Sequence, residues 1–549
     1  MNWRALVPGL ALAALLSDPA WAAGAASLPD PNNDTGAGIY LRGTASSGQA
    51  VAGSRSAASK VQGTAAACAN CHQRSGLGSR EGRSFIPPIT GRYLFRPLTQ
   101  VNKDFDLPYV EGMRPDRPPY TDATLARAIR EGVDSQDKPL SYLMPRYELG
   151  EADMAALVGY LKQLDQRHVP GISATALHFA TIITPDADPV KRRGMLEVLQ
   201  QFFAARNVRQ LGAAPRIMGQ GKSVYAGTLE MEHRRWELHV WELAGPPSDW
   251  QRQLDQFLAS QPVLAVVSGL GGSTWAPVHA FCERAAVPCL FPNVEVPVDQ
   301  QRDFYSLYFT RGVMLEADLM ADAILQPEEG GKARTVRQFY RPGDSGAAGA
   351  AALAAALKGH GVEVTSQALV PGRTVGEELS SSAAPDALVL WLRPRDMATL
   401  GAAPAAGTAV YLSGLLGGLE GAPLPPDWRA RAQLAYPFDL PDRRRVRVDF
   451  VLGWFRMRKI PIVDLQVQTD TYLACGLLSE TLSHMVDALG RDYLVERMQS
   501  MLEHRIVTGY YPRLAMATGQ RFASKGGYLV HFADGQGSRL LPDQGWKVP

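Results

Sequence analysis

The feature that most constrains this chain is a run of five residues, Cys68-Ala69-Asn70-Cys71-His72. Two thiols three positions apart, followed at once by an imidazole, form the C-x-x-C-H pattern of covalent haem attachment. Each thiol adds to one vinyl group of the porphyrin, and the adjacent histidine then ligates the iron. Half of a zinc site and a thioredoxin-like redox pair are the alternatives, but a second Cys/His pair and a βαβ pattern are both missing nearby. The motif therefore predicts one covalently bound haem c.

A methionine downstream is predicted to supply the sixth ligand of the haem iron. Met144 stands in a proline-bounded turn just before an amphipathic helix, where its thioether can reach the second face of the iron. Met113, in a charged and proline-rich loop, and Met154, on the apolar stripe of the next helix, compete for this role. The alternative for Met144 is a packing role. Ligation by histidine and methionine raises the reduction potential relative to two histidines, which suits a protein that accepts electrons from a dehydrogenase.

The N-terminus is predicted to be a secretory signal that is cleaved after about Ala22. Arg4 precedes an apolar stretch over residues 5–16, and Ala20-Trp21-Ala22 provides the small residues that signal peptidase accepts. A retained membrane anchor is the alternative, although the apolar run is shorter than the roughly 20 residues of a bilayer span. We therefore expect an exported, periplasmic protein with no transmembrane segment after cleavage.

The overall charge excludes a role that depends on electrostatic attraction alone. The chain of 549 residues has 56 Lys+Arg against 54 Asp+Glu, a formal net charge of +2. A net charge this small is not enough to bind nucleic acid or an anionic membrane by electrostatic attraction. With 46% hydrophobic residues, the chain can bury the cores of roughly two to four domains, and disorder as its main state is excluded.

The hydrophobic pattern divides the mature chain into a small helical part, residues 33–168, and a larger α/β part, residues 175–549. The helical part has two clear helices, one capped by Thr121 and ended by Gly132, the other starting at Glu151. In the α/β part, buried apolar runs alternate with amphipathic helices, which is the pattern of parallel βαβ units. Strands are predicted at residues 179–183, 238–241, 263–267, 336–340, 387–392, 409–412 and 527–532, with helices capped by Ser248, over 345–358 and within 444–505.

The helical part resembles the class I cytochrome c domains, on the CANCH motif and on the Met-Pro-Arg-Tyr sequence of residues 144–147. The resemblance implies that an N-terminal helix containing Tyr40 crosses the C-terminal helix containing Val158. It also implies that the carbonyl of Pro87 accepts the proton on the second ring nitrogen of His72 and so fixes the tautomer of that ligand.

The α/β part is similar to the type I periplasmic binding proteins of the Leu/Ile/Val-binding family. The similarity rests on the order of five local segments, at residues 268–274, 287–292, 340–346, 511–513 and 519–522. It implies two doubly wound lobes that close on a ligand between the carboxyl ends of their strands.

A small-molecule ligand in such a cleft would meet residues from both lobes. Ser268, Ser273 and Thr274 offer hydroxyls to a carboxylate, together with the amides of the following helix. Tyr340 and Asp344 are the candidates from the facing lobe. A glycine-rich connection without any binding role is the alternative for the serine-containing loop.

Two further cysteines are predicted to form a disulfide. Cys282 stands late in a helix and Cys289 begins the next strand, a spacing that can bring the two Cα atoms within bridging range. An oxidising compartment favours the bond, and two buried thiols are the alternative. Cys475 is then left as a buried thiol on an apolar helix.

These features together predict a periplasmic electron-transfer and binding protein rather than an enzyme. Its haem is expected to take electrons from a redox partner and to pass them toward a respiratory acceptor. The resemblance implies, as that partner, a PQQ-dependent alcohol dehydrogenase, because binding proteins of this sort occur alongside such systems. The alternative function is a substrate-binding receptor of an ABC-type transport or sensing system with an ancillary haem. A third is coupling, in which a bound ligand shifts the haem potential.

Overall fold

The computed structural model describes residues 34–56, 59–81, 84–95, 117–165, 168–212, 234–300, 303–327, 331, 333–380, 384–485, 488–503, 508–517 and 519–549. Contacts divide these residues into two compact units. The first unit comprises the described residues of 34–72, 89–95 and 117–164, and the second comprises those of 73–88 and from 165 onward. The expected signal segment and Met113 lie outside the described residues.

The helices up to residue 163 all belong to the first unit: α1 (Thr35–Arg42), α2 (Ala69–His72), α3 (Gly91–Phe95), α4 (Asp122–Glu131) and α5 (Glu151–Gln163). The strands in this stretch are β1 (Ala52–Ser56), β2 (Ser59–Gln62), β3 (Ser79–Glu81), β4 (Ser84–Ile86) and β5 (Arg146–Tyr147). Strands β2, β1 and β5 form an antiparallel sheet in that order. The hairpin of β3 and β4 lies in residues 73–88, which cluster with the second unit.

Helix α1 packs across α5, as the resemblance implied. Tyr40 is fully buried, and its ring centroid lies 5.2 Å from that of Tyr160. Gly36 permits the close crossing, because a Cβ at this position would come 2.4 Å from the carbonyl oxygen of Ala156. Val158 belongs to the same buried core. The first unit is thus organised around the contact between its first and last helices.

Helix α4 has the ends that its sequence predicts. The Thr121 hydroxyl accepts a hydrogen bond from the Thr124 amide at 3.2 Å, and the Thr124 hydroxyl accepts one from the Thr121 amide at 2.8 Å. This reciprocal pair satisfies two amides that the first turn leaves open. Gly132 ends the helix with a positive φ of 73°, which glycine adopts without strain.

The second unit is an α/β structure, and its first sheet is parallel. The sheet has the order β10-β9-β8-β6-β7 among the described residues. Its strands are β6 (Ala176–Ile183), β7 (Arg235–Glu242), β8 (Ala265–Val267), β9 (Cys289–Leu290) and β10 (Ser306–Leu307). The helices between them are α6 (Pro189–Gly212), α7 (Trp250–Ser260) and α8 (Ala276–Arg284).

The second sheet has the order β12-β11-β13-β14-β15-β16-β17. Its strands are β11 (Thr335–Tyr340), β12 (Glu363–Ala368), β13 (Ala387–Trp391), β14 (Ala409–Ser413), β15 (Ala432–Tyr436), β16 (Tyr528–Phe532) and β17 (Leu540–Pro542). The first five are mutually parallel, and the last two are antiparallel. The helices are α9 (Val313–Leu325), α10 (Gly346–Leu357), α11 (Val375–Ser380), α12 (Pro394–Met397), α13 (Gly414–Gly417), α14 (Pro426–Arg429), α15 (Pro441–Arg458), α16 (Leu465–Ser483) and α17 (Arg491–Leu502).

The expected fold class, a small helical domain followed by an α/β region with parallel sheets, is confirmed by these elements. The predicted strands all coincide with observed strands, whereas β10, β12, β15 and β17 were not predicted. Of these, β12 is an edge strand with a mostly polar sequence. The prediction that Ser248 caps a helix is wrong. Ser248 lies inside the 3₁₀ turn Pro247–Asp249, and α7 begins after Asp249 without a side-chain cap.

A disulfide joins α8 to β9 in the first sheet's layer. Cys282 and Cys289 are bonded, and their Cα atoms lie 6.1 Å apart. Cys475 is a buried thiol in α16. No helix among the described residues is long and apolar enough to cross a lipid bilayer.

Candidate functional sites

The C-x-x-C-H motif forms a single helical turn in the first unit. The Cys68 carbonyl accepts hydrogen bonds from the amides of Cys71 at 3.2 Å and His72 at 2.9 Å. The Asn70 side chain donates to the Thr64 carbonyl at 2.7 Å, which ties this turn to the 3₁₀ turn before it. Both cysteines are in the thiol form and partly exposed, and His72 is buried. One short segment therefore presents two thiols and an imidazole, as covalent haem attachment requires.

The environment of the thiols does not suit either alternative chemistry. Desolvation by the surrounding core, with a smaller contribution from Cys71, raises the pKa of Cys68 to about 12, whereas cysteines that exchange disulfides have a lowered pKa. The groups of described residues that could together hold a metal ion lie elsewhere, and none includes the motif. These residues fit thioether attachment of a haem better than a redox pair or a zinc site.

The backbone around Met144 is held in a defined turn. The Met144 amide donates to the Ser141 carbonyl at 3.1 Å. From strand β1, the Arg55 side chain donates to the Leu143 carbonyl at 2.8 Å. Strand β5, which follows Met144 directly, pairs with β1. The position of Met144 is thus set by strand β1 from both sides.

The candidate methionines differ in their surroundings. The Met144 side chain is partly buried and packs against the same core as Cys68. Met154 is 2% exposed and lies inside that core on α5, where a methionine serves to fill space. The assignment of Met144 as sixth ligand stays a prediction that this placement supports.

Tyr147 is a site residue that the sequence analysis did not single out. It is buried at the end of β5, and burial followed by the charges of Cys68 and Cys71 raises its pKa. Its phenol therefore lies near both thiols. Its place in the Met-Pro-Arg-Tyr sequence was the signal that could have marked it.

Pro87 follows strand β4 in residues 73–88. Gly78, with a φ of 74°, approaches this stretch so closely that a Cβ would come 2.1 Å from the Ile86 carbonyl oxygen. The turn after the motif and the Ile86-Pro87 backbone are thus held together. The hydrogen bond from His72 to the Pro87 carbonyl stays a prediction.

The residues that follow the motif in sequence are anchored within the second unit. The amides of Arg74 and Ser75 donate to Glu496 Oε1 at 2.7 and 3.1 Å. The Arg74 guanidinium lies 4.5 Å from the ring centroid of Phe304, and burial raises the pKa of Glu496 to about 8. Sequence reasoning missed this contact, since Arg74 and Glu496 are 422 positions apart.

The second candidate site is a cavity of about 1100 Å³ in the second unit. Loops from the carboxyl ends of strands in both sheets line it, including Asp186 after β6, Ser273 after β8, Asp344 after β11 and Arg393 after β13. Doubly wound α/β proteins bind ligands at this position, because the loops there converge on a crevice.

Two of the five candidate ligand residues, Ser273 and Asp344, line the cavity. Ser268 does not, which corrects the expectation from sequence. It is fully buried, and its hydroxyl donates to that of Thr471 at 2.8 Å and accepts from the Asn293 side chain at 3.0 Å. Its hydrogen-bonding capacity is used inside the protein.

Thr274 and Tyr340 also lie outside the lining. The Thr274 hydroxyl accepts a hydrogen bond from the Ala276 amide at the start of α8. Tyr340 is the last residue of β11 and packs against the core of the second sheet. Neither residue meets the cavity, because the turn geometry directs both to neighbouring backbone or core.

A carboxylate of the chain itself occupies the serine-containing loop. Asp186 Oδ2 accepts hydrogen bonds from the Ser273 amide at 2.7 Å and the Ser273 hydroxyl at 2.6 Å. Asp186 Oδ1 accepts one from the Thr184 hydroxyl at 2.7 Å. Burial tends to raise the pKa of Asp186, but these hydrogen bonds outweigh it and lower the pKa. Asp186 is therefore an ionised carboxylate at neutral pH.

Arg393 is the central cation of the cavity, and it is fully engaged. It donates to both oxygens of Glu295, at 2.8 and 2.6 Å, and to both oxygens of Asp344, at 2.9 and 2.5 Å. Burial alone would raise the pKa of Glu295, but Arg393 and the charge of Lys191 lower it to about 2. The ion pairs connect the loop after β9 with the loops after β11 and β13.

Asp470, on helix α16, is a lining residue that sequence patterns did not reveal. It is 4% exposed. The Tyr511 hydroxyl donates to its Oδ2 at 3.0 Å, whereas Oδ1 accepts no hydrogen bond from the described residues. Burial raises the pKa of Asp470 to about 8, against the lowering influence of the Tyr511 and Gln466 side chains.

Comparison with known protein families agrees with the geometry of the first site. The cytochrome c family model matches residues 57–165. This part of the chain is a cytochrome c domain. The match includes the C-x-x-C-H turn and Met144. No curated protein matches the chain significantly.

Solved structures similar to the chain include proteins of ABC transporters. A putative branched-chain amino acid ABC transporter protein from Rhodospirillum rubrum is 17% identical, with a TM-score of 0.45, covering 67% of this chain and 100% of that one. A branched-chain amino acid ABC transporter protein from Thermus thermophilus with bound valine is 11% identical, with a TM-score of 0.49, covering 68% and 97%. A fatty acid ABC transporter substrate-binding protein from Thermomonospora curvata is 14% identical, with a TM-score of 0.48, covering 70% and 95%.

Proposed function

We propose that this protein is an exported c-type cytochrome that transfers single electrons through one haem attached to Cys68 and Cys71. The haem, when bound, supplies a one-electron iron couple. The observation that carries the proposal is the helical turn with two thiols and a histidine, inside a domain that matches the cytochrome c family. Electron transfer is the function that this arrangement supports best.

The residues of the chain have distinct roles in this proposal. Thioether bonds from the two cysteines would hold the cofactor, and His72 and Met144 would ligate its iron. The Pro87 carbonyl orients the His72 imidazole by accepting its second ring proton. The apolar core behind Cys68 and Met144 limits the access of water to the site, which together with methionine ligation favours the reduced state.

The electron donor in this proposal is a periplasmic dehydrogenase, and the acceptor is a component of a respiratory chain. The family and structural matches described above do not support a link to an alcohol dehydrogenase, so the PQQ-dependent enzyme is one donor to be tested among others. The N-terminal segment is proposed to direct export and to be removed after about Ala22, since its sequence has the arrangement of a signal peptide.

We further propose that the α/β part is a ligand-binding module of the type I periplasmic binding protein kind. The cavity at the carboxyl ends of strands from both sheets supports this function. A receptor in which the haem is ancillary is the second candidate function, and the same cavity favours it. The two candidates differ in whether the haem exchanges electrons with a partner protein.

The test begins with protein purified from the periplasm of cells that mature c-type cytochromes. We expect a coloured product with the mass of the processed chain plus one haem. Reduced protein should be reoxidised rapidly by a periplasmic cytochrome or oxidase, as followed by stopped-flow absorption. A colourless product with the mass of the bare polypeptide contradicts the proposal. Reoxidation too slow to support respiration favours the receptor instead.

The iron ligand is tested with a matched pair of methionine variants. Met144→Ala should remove the sulfur-to-iron charge-transfer band and lower the reduction potential, because the thioether is lost. Met154→Leu keeps a similar volume in the core, and it should retain both the band and the potential. An unchanged spectrum in Met144→Ala refutes the assignment of Met144.

A further inference from the structure

The cavity of the second unit has an excess of negative charge. Among the described residues that line it, seven carry a carboxyl group and three are cationic. Each cation already has a carboxylate within 4.0 Å: Arg393 meets Glu295 and Asp344, Lys191 meets Glu295, and Arg395 meets Asp396. Arg393 and Lys191 are therefore paired inside the cavity, whereas Arg395 is 70% exposed and its partner Asp396 is also held by Arg341.

The donors of the serine-containing loop that line the cavity, at Gly271, Gly272 and Ser273, are engaged as well. The amide and hydroxyl of Ser273 both donate to Asp186, and the Gly272 amide donates to the Thr184 hydroxyl at 2.9 Å. The Asp186 carboxylate lies so close to this loop that a Cβ at Gly272 would come 2.3 Å from its carboxyl carbon. The place where the loop could receive a ligand carboxylate is thus filled by a carboxylate of the protein.

One acidic group in the lining lacks a complete set of partners. Asp470 is buried, and its Oδ1 accepts no hydrogen bond of ordinary geometry from the described residues, although the Gln466 side chain lies near enough to lower its pKa. A buried carboxylate oxygen without a donor is costly, so it favours a ligand that supplies one. An ammonium group provides both a positive charge and hydrogen-bond donors.

Aromatic rings beside Asp470 complete the recognition surface. Tyr511, which donates to Asp470, stacks on Phe309 at 5.0 Å between ring centroids, and its ring lies 5.5 Å from that of Phe438. Phe438 in turn lies 5.3 Å from Tyr510, and all four rings line the cavity. Aromatic faces attract organic cations and also bury apolar groups.

We propose that this cavity binds a small organic ammonium ion that has an apolar body and no carboxylate group, with Asp470 as its counter-ion. The proposal rests on the ligand-binding function proposed for the α/β part, and it names the class of ligand. Amino acids are disfavoured, because their carboxylate would meet Asp186 and Glu295, while Arg393, Lys191 and the Ser273 amide are already engaged.

The test uses three probes that differ by one group: isoamylamine, leucine and isocaproic acid. Isoamylamine is leucine without the carboxylate, and isocaproic acid is leucine without the amine. Isothermal titration of the full-length, haem-loaded protein should give an affinity for isoamylamine at least about ten-fold above that for leucine, with no binding of isocaproic acid. Phenethylamine with phenylalanine repeats the comparison for an aromatic body.

Two variants test the residues. Asp470→Asn keeps the shape of the side chain and should weaken isoamylamine binding about ten- to a hundred-fold, since a charged hydrogen bond is lost. Asp186→Ala releases the donors of Ser273 and should produce binding of isocaproic acid. Asp255→Asn, which alters a surface ion pair with Arg284, is the control and should leave the affinity unchanged. Far-ultraviolet circular dichroism and melting temperature establish that each variant is folded.

The pH dependence gives a second measurement on the unmodified protein. Burial raises the pKa of Asp470 to about 8, where the Tyr511 and Gln466 side chains lower it, the charge of Asp464 raises it and that of Arg444 lowers it. Binding of an ammonium ion ionises this carboxyl group. Roughly one proton should therefore be released per amine bound at pH 7, and the release should vanish well above pH 8. Titrations in buffers of different ionisation enthalpy measure it.

Several outcomes overturn the proposal. Tighter binding of leucine than of isoamylamine refutes the ligand class but leaves a ligand-binding module in place. Failure of all the amines and acids to bind refutes both the class and the binding function. Asp470→Asn with unchanged affinity, or binding without proton release at pH 7, removes Asp470 as the counter-ion. The haem experiments are independent of all these results.

Discussion

The two candidate sites of this protein are constructed in opposite ways. The C-x-x-C-H turn places its thiols and imidazole within five adjacent residues, Cys68 to His72. The cavity of the α/β part is assembled from loops after strands of two different sheets, so Asp186, Arg393 and Asp470 come from distant parts of the sequence. The first site depends on one local turn, whereas the second exists only when both sheets have formed.

This difference determines what each site needs for its function. The turn at Cys68 needs only a helical hydrogen-bond pattern to present its side chains. The cavity instead depends on a balance of charges, because Arg393 offsets Glu295 and Asp344 while Asp186 is satisfied by Ser273. Removing one residue of the turn should therefore abolish a single function, whereas removing one residue of the cavity should disturb the stability of a whole unit.

The largest effect is expected from the motif. In the double variant Cys68→Ala and Cys71→Ala no thioether can form, so covalent haem should be lost completely. Haem staining after denaturing electrophoresis and the mass of the chain measure the loss. Cys475→Ala, in the buried thiol of α16, is the matched control and should keep full haem content. Covalent haem in the double variant contradicts the assignment.

Next in size is the removal of the central cation of the cavity. Arg393→Leu leaves Glu295 and Asp344 facing each other, and it should lower the free energy of unfolding by about 3 kcal/mol, less than for a fully buried pair because Arg393 is partly exposed. Urea unfolding at neutral pH measures the effect. Arg252→Leu, at an exposed arginine, should change it little. Equal effects in both variants would show that the cavity does not depend on Arg393.

The same ion pair predicts a pH dependence on the acid side. The pKa of Glu295 is lowered to about 2, so its stabilising effect is complete above its unfolded pKa and is lost as the pH falls through about 4 toward 2. In Arg393→Leu the stability lost between neutral pH and about pH 3 should be smaller than in the unmodified protein. Melting temperatures between neutral pH and about pH 3 check it. Parallel curves for the two proteins would mean that Glu295 is not held by Arg393.

Removing the disulfide between α8 and β9 should lower the free energy of unfolding by a similar or slightly smaller amount than Arg393→Leu. Replacing both Cys282 and Cys289 by Ala opens a short loop, and the chain-entropy estimate for closing such a loop is about 2 to 3 kcal/mol. The melting temperature of the α/β unit should fall, while haem content stays unchanged. A reduced wild-type sample should melt like the double variant. If reduction has no effect, the bond does not stabilise the unit.

The smallest change in the free energy of unfolding is expected at the two predicted helix caps, Thr121 and Ser248. Thr121→Ala removes the capping pair with Thr124, and it should cost about 1 kcal/mol. Ser248→Ala should cost much less, because Ser248 lies in a 3₁₀ turn and makes no cap for α7. Thermal unfolding of both variants measures the difference. If both variants lose the same free energy of unfolding, Ser248 also acts as a helix cap, as its position in the sequence predicts.

Prediction from the sequence succeeded where the signal lies in neighbouring residues. The helix from Asp122 to Glu131 was recognisable from its cap at Thr121 and its end at Gly132, because both act within one turn. Most of the parallel strands were recognisable from continuous apolar runs, since they are buried on both faces. The edge strand β12 has no such run, and β15 has Gln433 within a run of only five residues, so both were missed.

Prediction of the cavity failed where the partner of a side chain lies far away in sequence. Ser268 was expected to meet a ligand, but its partner Thr471 is 203 positions away on α16. Asp470 and Tyr511 showed no pattern, although they come together at the cavity. Hydrogen bonds of this kind depend on the packing of helices against sheets, which local spacing does not encode.

The amino-acid sequence by itself determined the chemistry of the C-x-x-C-H turn, the order of the helical and α/β parts, and most strand positions, because these depend on short-range periodicity and on residues that are covalent neighbours. Only the tertiary structure decided that Asp186 fills the serine-containing loop, that Arg393 is fully paired and that Asp470 is left with an unpartnered oxygen. The reason is physical: the partner of a buried charge is set by what folding brings within hydrogen-bond distance.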